Sequence, residues 1–357
     1  MAGRHPARRV VDILTGAWQA QALYAAAALD LPDHITAGNT TAARLAAVTG
    51  SDQDGIERLM RLLTAMGVVD GTPGEGYRLT DVGTLLRSDD DRSMRDMAVI
   101  YGEEFHRAWG EVVPAVRTGT SGFEHAFGTP LRGYLEREPG AAVRFQRAMN
   151  AGNVFFADVV KAYDFTACRT VVDVAGGSGM LLSTILQAHP HLHGLLFDLP
   201  HVIPVAEEHL SRTLGPGRCR TVGGDAFRAV PPGADAYLLS RVLQDWDDAR
   251  CTQLLSTVRA AMPDTARLLI LERVIPTAGS TADSTDGEGV LALLWDLHLL
   301  MAAGGRERTL DGYRTLLDGA GLRLESVVPL ALETSLLIAA PAQDRPVAPQ
   351  TREHKEA

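Results

Sequence analysis

Apolar positions recur at three- and four-residue steps in the first part of the chain. In the last part they come in short continuous runs. Over residues 10–31, Leu14, Trp18, Ala22, Ala25 and Leu29 fall on one face, and alanine is abundant, so a helix is expected. Thr40-Thr41-Ala42-Ala43-Arg44-Leu45-Ala46 reads as a short capped helix. Residues 52–66 supply a second, with Ile56, Leu59, Leu63 and Met66 on one face and Gly67 ending it. Val68-Val69-Asp70 and Tyr77-Arg78-Leu79, around a Pro/Gly-rich tip at 71–76, predict a small hairpin, and Thr80 opens another helix. Helix, helix, hairpin is a winged helix-turn-helix pattern. Residues 92–162 are helical in character and rich in aromatics, among them Tyr101, Phe105, Trp109, Phe123, Phe127, Tyr134, Phe145, Phe155 and Phe156. A bridge lining a pocket would have this composition, and so would plain core.

From residue 170 the rhythm changes. Strands at 170–174, 194–197, 236–240 and 267–272 alternate with helices at 181–189, 201–210 and 251–261, and Arg220-Thr221-Val222 leads into Gly223-Gly224-Asp225. This alternation predicts a mostly parallel sheet with helices on both faces. A helix at 313–320 and strands at 322–328 and 335–339 close the pattern. Residues 341–357 are polar and read as a frayed tail.

Charge narrows the functions open to such a chain. The second helix of the winged pattern carries Arg58 and Arg61 against Asp52, Asp54 and Glu57. A phosphate-contacting face needs several cations, so packing or dimerisation is expected there, with no nucleic-acid partner. The net charge of −10 likewise does not favour a nucleic-acid partner, and the 357 residues suit two domains. Cys168, Cys219 and Cys251 are far apart and suggest neither disulfides nor a metal site, which fits a reducing compartment. The basic residues 1–9 are not followed by a signal core. The longest apolar stretch, 290–303, is interrupted by Asp296 and His298 and falls short of the ~20 residues a membrane span needs. A soluble cytoplasmic protein without a membrane partner is expected.

The densest chemistry lies in Asp173-Val174-Ala175-Gly176-Gly177-Ser178-Gly179, between a strand and a helix. Small residues there let a ligand approach the backbone beside a helix N-terminus. The glycines alone would suit a dinucleotide as well. Asp173 would oppose a pyrophosphate but suits a cationic methionine end. After the second strand comes Phe197-Asp198-Leu199-Pro200, where Asp198 can accept both hydrogens of a ribose diol. After the third comes Gly224-Asp225-Ala226-Phe227, where Asp225 could face an adenine amino group and Phe227 its flat face. Each acid alone could be only a turn or cap residue. The set points to S-adenosylmethionine.

With Val242-Leu243-Gln244-Asp245-Trp246-Asp247-Asp248 and Gly304-Gly305-Arg306-Glu307-Arg308-Thr309, these stretches make the chain resemble the S-adenosylmethionine-dependent O-methyltransferases. The similar members are those of the plant caffeate type and their actinobacterial relatives that tailor secondary metabolites. The resemblance runs from about residue 10 to 340. It implies a winged-helix dimerisation domain over 10–95, a helical linker lining the acceptor pocket over 96–165, and a Rossmann-like α/β catalytic domain over 166–340, with a flexible tail over 341–357. It adds Leu199, Ala226, Ser240, Arg241 and Trp246 to the cofactor-binding set. It places a flat aromatic or polyketide-like acceptor against Phe145, Met149, Asn153, Trp295, His298 and Met301. It also implies a homodimer, with the helix around Trp18 at the contact.

The resemblance breaks at one position. The family usually has histidine before Asp-Trp, as the base that takes the acceptor's proton. Here the residue is Gln244, and an amide has no useful basicity near neutral pH. Asp245 follows it, and the two acids that hold the histidine are matched by Glu272 and Glu307. Three readings follow. The chain still methylates a hydroxyl, using the activated sulfonium and in-line positioning, with Gln244 orienting the acceptor. Or the bound sulfonium serves only as a fixed charge for hydroxylation, decarboxylation or pericyclic chemistry. Or the winged helix makes the chain a cofactor-sensing regulator. Among histidines that could replace the missing base (His106, His125, His201 and His298), His298 ranks first because it sits on the apolar helix expected to line the pocket.

Overall fold

Capping residues set the element boundaries of the first half. In the computed structural model, which describes residues 5–90, 92–276 and 289–342, the first helix runs Pro6–Ala28 rather than to residue 31. Pro32 cannot continue it, because it has no amide hydrogen to donate. The chain turns instead at Asp30, φ +51°, into a second helix, Leu31–Thr36. Thr41 caps Ala42–Thr49 by accepting the Arg44 N–H, and Asp52 caps Gln53–Ala65 by accepting the Gly55 N–H at 2.8 Å. Strands β1 (Val69–Thr72) and β2 (Gly76–Leu79) then pair antiparallel. The buried stripe of the Gln53–Ala65 helix is Ile56, Met60 and Leu63, and the expected Leu59 and Met66 pack half-buried against the same core.

The chain divides into two compact units. One is Met1–Val154 with Leu297–Gly304, and the other is Phe155–Asp296 with Gly305–Ala357. In the first, Leu31, Leu45, Ile56, Met60, Leu63, Val68 and Tyr77 form the core under the hairpin. Short helices between Arg95 and Ala151 build a second core around Ile100, Phe105, Phe123 and Ala148. The expected linker segment up to residue 154 therefore belongs to this unit, and 155–165 belong to the other.

The second unit is built on a sheet of β3 (Thr170–Val174), β4 (His193–Asp198), β5 (Cys219–Gly223), β6 (Ala236–Ser240), β7 (Arg267–Ile275), β8 (Arg308–Thr309), β9 (Leu322–Pro329) and β10 (Thr334–Pro341). Their order is β5-β4-β3-β6-β7-β10-β9, with β8 beside β7. Neighbours from β5 to β7 are parallel, and β10 is antiparallel to both β7 and β9. Both faces are covered. Leu268 and Ile270 point into one core and Leu269 and Leu271 into the other, so β7 reads as an unbroken apolar run. Strand order reverses between β3 and β6. In open parallel sheets, ligands bind outside the carboxyl ends of the strands at such a reversal. The last strand extends to Pro341, and most of the expected tail lies outside the described residues. Among the described residues, no helix is long and apolar enough to cross a membrane.

Candidate functional site

The residues expected to bind the cofactor lie at and just beyond the carboxyl ends of β3, β4, β5 and β6, on both sides of that reversal. Asp173 is the penultimate residue of β3 and is almost wholly buried. The turn after it needs left-handed backbone at Ala175, Gly177 and Gly179, and its Ala175 N–H donates to Phe197 O at 2.8 Å, tying it to β4. A Cβ on Gly176 would stand 2.7 Å from the Asp173 carboxyl, and one on Gly177 would project into open space. The turn is therefore packed against its acid on one side and open on the other. Asp198 ends β4 and accepts the Gly177 N–H at 2.8 Å and the Leu199 N–H at 2.6 Å. These bonds fix its carboxylate while leaving lone pairs for a diol.

Asp173 Oδ2 is buried without a hydrogen-bond partner. Burial, and secondarily the nearby Asp198 charge, push its carboxyl up to about 8. An acid held this way fits a cationic ligand, whose charge would offset both causes. Ser240 ends β6 and also keeps a buried Oγ without a partner. Asp225 accepts the Phe227 N–H at 2.9 Å, which fixes the turn that displays Ala226 and Phe227. The Phe227 ring meets Trp246 edge-on at 4.9 Å, and the Arg250 guanidinium lies 4.1 Å above Phe227. Arg241 holds a left-handed φ of +57°, uncommon for a non-glycine residue, and its guanidinium sits 6.0 Å from the Phe155 ring.

Gln244 and Asp245 lie on a 3₁₀ turn, Leu243–Asp245, whose backbone is held from several sides. Glu272 Oε1 accepts the N–H groups of Val242 and Leu243 at 3.0 and 2.8 Å. Gln244 O accepts the Arg306 N–H at 2.9 Å, and a Cβ on Gly305 would strike that oxygen at 2.4 Å. The resemblance matches Glu272 to one of the acids that hold the family's histidine; in this chain its Oε1 holds the backbone of the turn. Glu307 is also buried, and Arg273 lies 3.7 Å from it and 4.4 Å over the Trp295 ring. Burial pushes Glu307 up to about 7, against the pull of Arg273, and raises Glu272 well above the carboxylate range, with the Glu307 charge adding to it. Asp245 differs from both. The residue as a whole is exposed, while burial of its carboxyl raises it to about 6, against the opposing pull of the Gln244 amide and Arg241.

The acceptor candidates divide. Trp295 belongs to the sheet unit, and Phe145, Met149, Asn153, His298 and Met301 to the other. Phe145 and Met149 flank the Phe105–Phe123 core, Asn153 is half-buried, and Met301 is fully buried against Gly122. His298 is buried among Tyr101, Phe105 and Trp109, and its Nδ1 accepts the Trp109 indole N–H at 3.1 Å. A neutral imidazole accepting at Nδ1 carries its proton on Nε2, so this geometry does not support His298 as the replacement base. His106 and His201 are exposed, and His125 pairs with Thr118 at the surface. Sequence reasoning passed over Arg273 and Arg308, both buried. The visible signal was a cation beside Glu272 and another beside Glu307. Among the described residues no cluster could hold a metal ion.

Comparison with known proteins places this geometry in a family. The model of the O-methyltransferase domain matches residues 109–323, and that of the O-methyltransferase dimerisation domain matches 11–89. The chain belongs to the O-methyltransferase family and is a methyltransferase. It is 43% identical to the 3-amino-4-hydroxybenzoate 4-O-methyltransferase of Streptomyces cremeus, over 93% of this chain and 89% of that one. It is 41% identical to the phenazine-1-carboxylate N-methyltransferase of Pseudomonas aeruginosa, over 94% and 98%. The solved structure of CalO1, a methyltransferase in calicheamicin biosynthesis in its SAH-bound form, superposes with a TM-score of 0.82 at 31% identity, covering 95% of this chain and all of that one.

Proposed function

We propose that this chain methylates a hydroxyl of an aromatic or polyketide-like secondary metabolite, and that Asp245 takes the proton that a histidine at position 244 would otherwise accept. The cofactor is S-adenosylmethionine, which supplies an activated methyl group on a cationic sulfur. Asp173 and Asp198 would hold its methionine and ribose ends, and Phe227 with Trp246 would wall its adenine. Gln244 has no base to offer, but its amide can orient the acceptor hydroxyl and the Asp245 carboxylate together. The observation that carries the reading is the placement of Asp245. It shares with Gln244 a turn whose backbone is held on several sides, and burial raises its carboxyl to about 6, the range in which a carboxylate works as a base near neutral pH.

Two observations bear on the acceptor and on assembly. The missing basic residue also suits an aromatic amine or ring nitrogen, whose lone pair attacks without prior deprotonation. A relative that is 41% identical is an N-methyltransferase. The match to a dimerisation domain and the exposed apolar residues of the Pro6–Ala28 helix support a homodimer.

The test is the pH dependence of kcat with an aromatic hydroxyl acceptor. The rate should rise with pH through an apparent pKa near 6, because an acid lifted to that value is an active base only above it. Asp245→Asn should lower kcat by roughly 10²- to 10⁴-fold and remove that limb. An Asp245→Asn variant with undiminished kcat on a hydroxyl acceptor would refute the role of Asp245.

A further inference from the structure

One buried cation bonds to the backbone at both ends of the turn that carries Gln244 and Asp245. Arg308 is only 5% exposed. Its Nη1 donates to Leu243 O at 2.9 Å and its Nη2 to Trp246 O at 2.7 Å, so it spans both ends of that turn. Its Nε and Nη2 also donate to Asp248 Oδ1, at 2.9 and 2.8 Å. Its own backbone is fixed as well. Arg308 pairs with Val274 across β7 and β8, and the next residue, Thr309, caps the Leu310–Gly319 helix. The Cys251 thiol adds a donation to Leu243 O at 3.2 Å.

We infer that Arg308 is a positioning residue that sets Asp245 and Trp246 in one register, so that the proton-accepting side and the adenine side of the site are aligned by a single guanidinium. The inference rests on the reading of Asp245 and Trp246 given above. The turn is short, and Gln244, Asp245 and Trp246 project from three consecutive residues. Fixing Leu243 O and Trp246 O leaves the intervening peptides little freedom. Trp246 in turn abuts Phe227 at 4.9 Å, on the turn organised by Asp225. A planar fork with several donors can reach three acceptor oxygens at once. Lysine, a point charge on a flexible stem, cannot reproduce that geometry.

Arg218 provides a matched control in the same unit. It is half-buried and donates to Leu186 O, His189 O and Leu192 O at 2.7, 3.2 and 3.2 Å, on the edge away from these residues. Arg308→Lys and Arg218→Lys both remove a carbonyl-capping fork, so both cost stability. Only Arg308→Lys should change the site. It should raise the Kd of S-adenosylhomocysteine, measured by calorimetry, about fivefold and lower kcat by at least about tenfold, since a small misplacement of reacting groups is expensive. Arg218→Lys should leave both within about twofold. If Arg308→Lys does not fold, Asp248→Ala decides. Asp248 is exposed, and removing its acceptor oxygen should loosen the clamp without unfolding the chain. An unchanged Kd in Arg308→Lys, or in Asp248→Ala where the first cannot be measured, overturns the inference. A raised Kd with kcat unaltered supports the Trp246 arm and counts against the role of Asp245 instead.

Discussion

Gln244 is the residue on which the chemistry turns. Restoring histidine there should speed methylation of weakly acidic phenols, whose protons Asp245 removes least readily, and should change acidic phenols little. Complete loss of activity in Gln244→His would instead give the amide a specific role. Asp173 makes a separate prediction. In the free protein its carboxyl stands at about 8, against 3.8 when unperturbed, so the folded state favours the proton. An acid raised in this way contributes stability that is present below the unfolded pKa and is lost as pH rises toward 8. The Tm of the free protein should therefore fall between pH 5 and pH 9 by more than that of Asp173→Asn. A bound sulfonium and ammonium favour the ionised form, so affinity for S-adenosylmethionine should rise by up to about tenfold per pH unit below 8. Calorimetry in buffers of different ionisation enthalpy should detect the proton released. Binding with no proton release in wild-type protein at pH 7 would contradict this.

At the scale of elements, the strand-to-helix turns decide whether the site forms. Gly176 faces the Asp173 carboxyl so closely that a methyl group there would sit 2.7 Å away. Gly176→Ala should weaken S-adenosylhomocysteine binding by an order of magnitude or more, because the turn must shift to relieve that contact. Retained affinity would mean that the turn does not contact the ligand. The sequence made these turns readable because each follows a short apolar run and carries an acid at a strand end. Asp173 and Asp198 lie where that pattern put them, at the ends of β3 and β4. Tertiary bonds were not readable in the same way. Periodicity could not indicate that Glu272 holds the backbone of Val242 and Leu243, or that Arg308 reaches across sixty residues to Asp248. The early end of the first helix was legible in principle, since Pro32 is visible in the sequence, but the strong alanine pattern obscured it. His298 is the opposite case. Its place on an apolar helix suggested a base, and only the Trp109 bond revealed which ring nitrogen carries the proton.

For the molecule as a whole, one surface lacks an explanation within a single chain. The Pro6–Ala28 helix buries Ala22, Ala26 and Ala27 toward its C-terminal end and exposes Val10, Val11, Ile13, Leu14 and Trp18 at the other, with Trp18 69% exposed. Apolar residues of this size rarely cluster on the surface of a monomer. The Leu14→Asp, Trp18→Asp double variant should therefore shift the mass found by light scattering from dimer to monomer, and a wild-type chain of monomeric mass would refute the homodimer. The central claim is that a chain with glutamine at position 244 still transfers methyl. It is tested most directly by incubating the protein with S-adenosylmethionine labelled in its methyl group and a panel of aromatic hydroxyl acceptors, with S-adenosylhomocysteine and product mass scored together. One S-adenosylhomocysteine should form for each labelled methyl found on the product. Turnover of an acceptor with no S-adenosylhomocysteine formed would contradict the account.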